Sequence, residues 1–266
     1  MTALDSLLRR ERVVAAIGLA VLTALAWLYI WRGAGMGMSA LDMTTVALFP
    51  HTQPELMPGM APPPMALLTV VAMWWVMMIA MMTPSAAPLV LLYTRVVRHA
   101  SGSNDATDVA PLLLVSGYLA VWLAFSIVAT ALQFLLLRFG LISGMTFWSK
   151  SAWLSAAFLI AAGIYQLTPL KLRCLKRCRS PVHFLAKHAG SGRARAWVLG
   201  VEHGAWCVGC CWMLMALLFV GGVMNLAWIA VLALLVLAEK VLPHGVVTSR
   251  AVGAILIAWG LATLAI

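Results

Sequence analysis

Between Gly200 and Trp212 one imidazole and three thiols recur at helical intervals: Gly200-Val201-Glu202-His203-Gly204-Ala205-Trp206-Cys207-Val208-Gly209-Cys210-Cys211-Trp212. His203, Cys207 and Cys211 follow i, i+4, i+8 spacing, and Cys210 falls one turn from Cys207. A helix would carry all four within an arc of about 100°. Imidazole and thiolate form a soft-to-borderline donor set that suits copper or Zn(II). The same thiols could serve thiol–disulfide exchange or simply fill space, since a buried cysteine is commonly inert. Adjacent Cys210 and Cys211 would not readily close a disulfide on an intact helix. Gly200 and Gly204 make a small-xxx-small step that lets a partner helix come close.

A second set is Met73-Trp74-Trp75-Val76-Met77-Met78-Ile79-Ala80-Met81-Met82-Thr83-Pro84. Met73, Met77 and Met81 form one ridge of a helix, and Met78 and Met82 form a second beside it. Two thioethers one turn apart can share a soft ion, and thioethers select Cu(I) over hard cations. A neutral ligand also costs little to bury in lipid. The competing reading is packing, because methionine fills irregular gaps between helices. Pro84 and Pro88 interrupt the backbone ladder of this segment, which makes it either a hinge or a simple kink.

A third set is Cys174-Leu175-Lys176-Arg177-Cys178, an i, i+4 thiol pair among basic residues that favour thiolate. It could bind metal, undergo redox chemistry or be palmitoylated. Ahead of the methionine ridges, residues 32–64 hold Met36, Met38, Met43, Met57, Met60 and His51 with many prolines and few charges. This is either an irregular surface loop or a catchment for a soft metal. Donors would then pass from thioether to thiolate along the chain's path through a membrane, as a relay for a soft metal requires. Glu202 and Glu239 are acids in apolar surroundings. Glu239 is expected to pair with Lys240 or with a basic residue of the segment 171–195.

The elements that must carry these residues follow from composition. Of 266 residues 64% are apolar and only 10% charged, with a mean hydropathy of +0.99. An average soluble domain has about 25% charged residues. Soluble enzymes, secreted disulfide scaffolds and disordered tails are thereby disfavoured. At about 20 residues per crossing, the pattern predicts one all-α domain, a polytopic transmembrane helical bundle over 1–266. About seven spans are expected, near 13–31, 66–92, 111–137, 151–169, 197–220, 223–242 and 249–266. Residues 171–178 are expected to prolong the fourth helix until Ser180-Pro181 breaks it.

The net charge of +10 marks topology rather than nucleic-acid binding. Of 18 basic residues, only Arg32, Arg138 and Lys150 fall on one side of these spans, leaving 15 on the other. Basic loops are poorly translocated, so the N-terminus is read as cytoplasmic in a bacterial cytoplasmic (inner) membrane. The bilayer is then the first partner, and Arg9, Arg10 and Arg12 precede an uncleaved first helix. The segment 171–196 becomes a basic cytoplasmic loop. Five cysteines cannot all pair, and structural disulfides are not expected there. Trp27, Trp31, Trp148, Trp153 and Trp197 lie near predicted helix ends as interface anchors.

The chain is similar to a bacterial family of metal-binding integral membrane proteins catalogued as a domain of unknown function. The resemblance is carried by Met77-Met78-Ile79-Ala80-Met81-Met82-Thr83-Pro84, by Gly163-Ile164-Tyr165-Gln166-Leu167-Thr168-Pro169-Leu170-Lys171 with Cys174 and Cys178-Arg179-Ser180-Pro181, and by Gly204-Ala205-Trp206-Cys207-Val208-Gly209-Cys210-Cys211-Trp212. Gly221-Gly222-Val223-Met224-Asn225 and Glu239-Lys240 complete it, over roughly 65–245. The resemblance implies metal binding without fixing the metal. The Met-x-x-x-Met step is also similar to that of high-affinity copper uptake channels.

The reading is a membrane protein that handles a soft metal, Cu(I) first and Zn(II) second. Its metal ligands are expected among His203, Cys207, Cys210, Cys211, Met73, Met77, Met81, Met82, Cys174 and Cys178. Import, storage, or delivery to a membrane cuproenzyme or metallochaperone would be its task. The rivals are a membrane thiol oxidoreductase and an accessory subunit whose Met and Cys only pack. No ATP-binding motif is present in the sequence.

Overall fold

A computed structural model describes residues 3–35, 39–44, 49, 66–101, 105–144, 147–187 and 192–266. The described chain is all helical. Its one β-like feature is an isolated bridge between Ile142 and Ser149. Of the Met-rich loop, Met43 is described and buried, whereas Met36, Met38, His51, Met57 and Met60 lie outside the described residues.

Among the described residues ten helices follow in order: α1 Ala3–Trp31, α2 Leu67–Ser101, α3 Asp105–Arg138, α4 Ala152–Leu167, α5 Pro169–Cys178, α6 Pro181–Lys187, α7 Arg193–Ala216, α8 Leu218–Gly221, α9 Leu226–Val241 and α10 Gly245–Ala265. Among the described residues, five segments are long and apolar enough to cross a membrane: Val13–Trp31, Leu67–Val97, Val109–Arg138, Arg193–Gly221 and Gly245–Ala265. A sixth is available if α4 and α5, bent by 67°, form one broken span. The expected crossing over 223–242 corresponds to α9, which has 16 residues, fewer than the ~20 a straight span needs. Along α1 the residues Val13, Val14, Ile17, Val21, Leu25 and Leu28 are all exposed. So continuous an apolar face fits hydrocarbon rather than water.

The fourth helix does not run on to residue 178. It stops at Leu167, and α5 leaves at the 67° bend. Pro169 explains the break: the residue before a proline is driven out of the helical region, and Thr168 is extended with φ −70° and ψ 147°. Thr168 then caps α5 by accepting the Lys171 N–H, while Pro169 occupies the first turn, where no donor is wanted. By contrast α2 continues through Pro84 and Pro88 without interruption.

The main packing pairs are α3 with α7, α4 with α10, α1 with α2 and α2 with α3. Helix α5 lies on α7, and α9 reaches α2. The α3–α7 crossing is close because of the small-residue step anticipated at Gly200 and Gly204. A Cβ at Gly200 would run into the Leu114 carbonyl, and one at Gly204 would meet Val121 Cβ at 3.0 Å. Gly117 on α3 answers from the other side, against the Trp197 carbonyl. Among the expected interface tryptophans, Trp31, Trp153 and Trp197 are exposed, but Trp148 is buried and belongs to the interior.

Candidate metal centre

Helix α7 carries His203, Cys207, Cys210 and Cys211 in the expected register, and all four are buried. Two of the three thiols are turned back along the helix: Cys210 Sγ and Cys211 Sγ donate to the same carbonyl, Cys207 O, at 3.1 and 3.0 Å. All five cysteines of the chain are free thiols.

Partner helices bring further groups to this face. From α2, Met82 sets its sulfur 3.9 Å from Cys211 Sγ, joining the thioether ridge to the thiol face. The Met82 carbonyl is capped by two hydroxyls, Ser85 at 2.8 Å and Tyr118 at 3.2 Å. From α3, the Tyr118 hydroxyl also lies 3.1 Å from Cys207 Sγ. From α9, Lys240 donates to Cys207 Sγ at 2.8 Å and to Ser85 Oγ at 3.0 Å. Cys207 thus sits between a phenol and an ammonium, both presented by other helices.

The remaining thiol pair arrives on α5. Cys174 is buried over Gly209: a Cβ at that glycine would be 3.0 Å from Cys174 Sγ. The absence of a side chain at 209 is what lets the two helices meet here. Cys178 interacts with Cys210 across the same contact. Tyr165, on α4 beside the bend, donates to the Gly209 carbonyl. The bend at Thr168–Pro169 therefore does positional work, since it lays α5 and its thiols against α7.

The other expected ligands are placed differently. Met73, Met77, Met78 and Met81 are buried with Met82 in the same core cluster. Trp74, Ile79 and Ala80 are buried there too, so burial does not single out the methionine faces. At 1.5 Å rise per residue, Met77 and Met73 lie ~7.5 and ~13.5 Å along α2 from Met82. His203 packs its ring against Tyr118 and Phe184, with centroids 5.9 and 5.6 Å apart. Its Nδ1 is buried without a hydrogen-bond partner. Among the described residues no group of three or more His, Cys, Asp or Glu is arranged to hold a metal ion. What the fold assembles instead is a sulfur cluster shared by α2, α5 and α7.

Two residues of this cluster were not foreseen as part of it. Lys240 reads in the sequence as a charge at the end of a helix, yet it is buried and turned to Cys207. Tyr118 sits in an apolar run with nothing to mark it. Glu239 does not pair with its neighbour Lys240. It accepts from Lys171 Nζ and Gln166 Nε2, each at 2.6 Å, the alternative that the basic segment offered. This buried ion pair ties α5 and α4 to α9.

A family model described as PpoB2, copper chaperone, matches residues 71–263. The chain belongs to this copper chaperone family. The matched range contains Met73, Met77, Met81, Met82, Cys174, Cys178, His203, Cys207, Cys210 and Cys211, and it leaves out the methionines and His51 of the segment 32–64. Membership supports copper handling in general, and it agrees with donors that are thioethers and thiols rather than carboxylates. No curated protein and no solved structure matches the chain.

Proposed function

We propose that the protein carries Cu(I) inside a membrane-embedded helical bundle and hands it to a membrane cuproenzyme or metallochaperone. The observation that carries this reading is the sulfur pair Met82–Cys211. Its separation of 3.9 Å allows both atoms to reach one ion at the ~2.3 Å typical of metal–thiolate bonds. One donor is a thioether and the other a thiol, from two helices distant in sequence. A soft monovalent ion is the cargo such a pair prefers over Mg(II) or Ca(II).

In this reading Met73, Met77 and Met81 lead cargo along α2 to Met82. Cys211 and Cys207 accept it on α7, and Cys210 passes it to Cys178 and Cys174 on α5. Transfer proceeds by exchange of one sulfur ligand for the next, so no free ion forms in the low-dielectric core. His203, one turn from Cys207, holds its unpartnered Nδ1 available as a further donor. Lys240 offsets the negative charge of a copper bound by two thiolates. The bundle would lie in a bacterial inner membrane with its N-terminus in the cytoplasm and α9 as a seventh, short crossing. Basic residues concentrated in alternate connections support that orientation.

Competition titration of Cu(I) against a chromophoric chelator tests the reading. Met82→Leu and Cys211→Ala should each weaken binding, and the double variant should lose less than the sum because the two sulfurs share one ion. Full affinity in both single variants would contradict the assignment.

A further inference from the structure

Helix α5 has two faces of different chemistry. Cys174 and Lys171 turn inward to α7 and α9, and both are buried. Arg173, Lys176 and Arg177, at i, i+3 and i+4, occupy the opposite face and are exposed. These three residues line one cavity of about 600 Å³ at the α5–α6 elbow, together with Ser180 and His183. None of its lining residues is acidic. Its other wall is apolar, built from Leu170, Phe184 and Trp206, with Arg177 stacked 4.1 Å above the Trp206 ring. Leu167, Leu170 and Val182 remain exposed around this elbow.

Guanidinium groups, an ammonium and a hydroxyl that converge without a carboxylate are matched to a phosphate, which accepts several charge-assisted hydrogen bonds at once. A small soluble phosphate would use the cations and leave the apolar wall wet. A ligand with a phosphate at one end and hydrocarbon at the other uses both walls. Basic pockets among membrane helices take lipid headgroups in this way. Trp206 of the apolar wall belongs to α7, one of the helices apolar enough to cross the bilayer.

We propose that the cavity lined by Arg173, Lys176, Arg177 and Trp206 binds an anionic phospholipid, its phosphate on the cations and its acyl chains on the apolar wall. The bound lipid lies against the outer face of the helix whose inner face presents Cys174 and Cys178, and it braces that helix at the bend. This assignment is independent of copper.

Native mass spectrometry of the full chain in detergent, titrated with phosphatidylglycerol, with phosphatidylcholine or with inorganic phosphate, tests it. Phosphatidylglycerol should be retained as a one-to-one adduct, with phosphatidylcholine and millimolar phosphate failing to replace it. Arg173→Gln with Lys176→Gln should weaken retention by about tenfold or more, because each basic residue near a lipid phosphate contributes substantially. Arg193→Gln with Arg195→Gln removes the same charge from outside the cavity and should retain the lipid. Equal loss in both pairs would reduce the effect to net charge and overturn the site. Displacement by inorganic phosphate would overturn the lipid assignment. Should the cavity variant not fold, a phosphatidylglycerol with a photoreactive acyl chain reads the unaltered protein. Crosslinks to the peptide spanning 170–184 support the proposal, and crosslinks spread over α1 and α10 contradict it.

Discussion

The ammonium of Lys240 lies 2.8 Å from the sulfur of Cys207, joining the end of α9 to the middle of α7 inside the bundle. Its other contact there is the Ser85 hydroxyl, while the adjacent carboxylate, Glu239, is engaged by Lys171. A charge is expensive to bury in a membrane bundle, so an intramembrane cation marks a working position. Beside a thiol cluster, and if that cluster carries copper as proposed, this ammonium would offset the charge of the metal thiolate.

Replacing Lys240 by Met keeps length and removes this charge. Cu(I) affinity should fall by about tenfold or more, since a hydrogen bond to a charged group contributes ~1.5–3 kcal/mol. Lys240→Arg, which keeps the charge, should recover part of the affinity. Chelator competition reads both. Unchanged affinity in Lys240→Met would confine Lys240 to a structural role.

Gly200 is the tightest point of the α3–α7 crossing, where backbone meets backbone. Gly200→Ala should force the helices apart and destabilise the bundle by ~1–3 kcal/mol, the usual range for overpacking. Thermal unfolding in detergent measures it. Gly18→Ala, whose new methyl would meet nothing, provides the control and should leave the transition unchanged.

The Lys171–Glu239 pair is a second buried electrostatic unit, with Lys171 wholly inaccessible and Glu239 nearly so. Glu239→Gln leaves the ammonium without its counter-charge and should cost ~3–5 kcal/mol. The double change Lys171→Met, Glu239→Leu should recover most of that loss, because it removes both charges together. Thermal unfolding of the three proteins checks the pattern, and equal losses in the single and double variants would contradict it.

The helical class and the shared buried face of the α7 thiols were legible from the sequence because both depend on local spacing and composition. Cys207, Cys210 and Cys211 share a face by helical periodicity alone, and Gly200 and Gly204 announce a close partner without naming it. The partner, α3 at Leu114 and Val121, is a tertiary fact. The 67° bend was readable in principle from Thr168-Pro169, yet an apolar run flowing into basic residues suggested one continuous helix. The inward turn of Lys240 was not legible. A lysine at a helix end ordinarily reaches for water, and its inward turn depends on Cys207 and Ser85, which are 33 and 155 residues away in the chain. His203 illustrates the limit of spacing: its register with the cysteines was readable, but the packing of its ring against Tyr118 and Phe184 is a tertiary fact.

In the function proposed above, the sulfur cluster of α2, α5 and α7 carries copper. Elemental analysis of the protein purified from copper-supplemented cells without chelators tests it most directly. Copper is expected near one equivalent or above per chain in the unaltered protein, and close to none in the Cys207→Ala, Cys211→Ala variant with its fold intact. A folded, unaltered chain that contains no copper and takes up none when offered Cu(I) would contradict the account and leave these thiols and thioethers as packing.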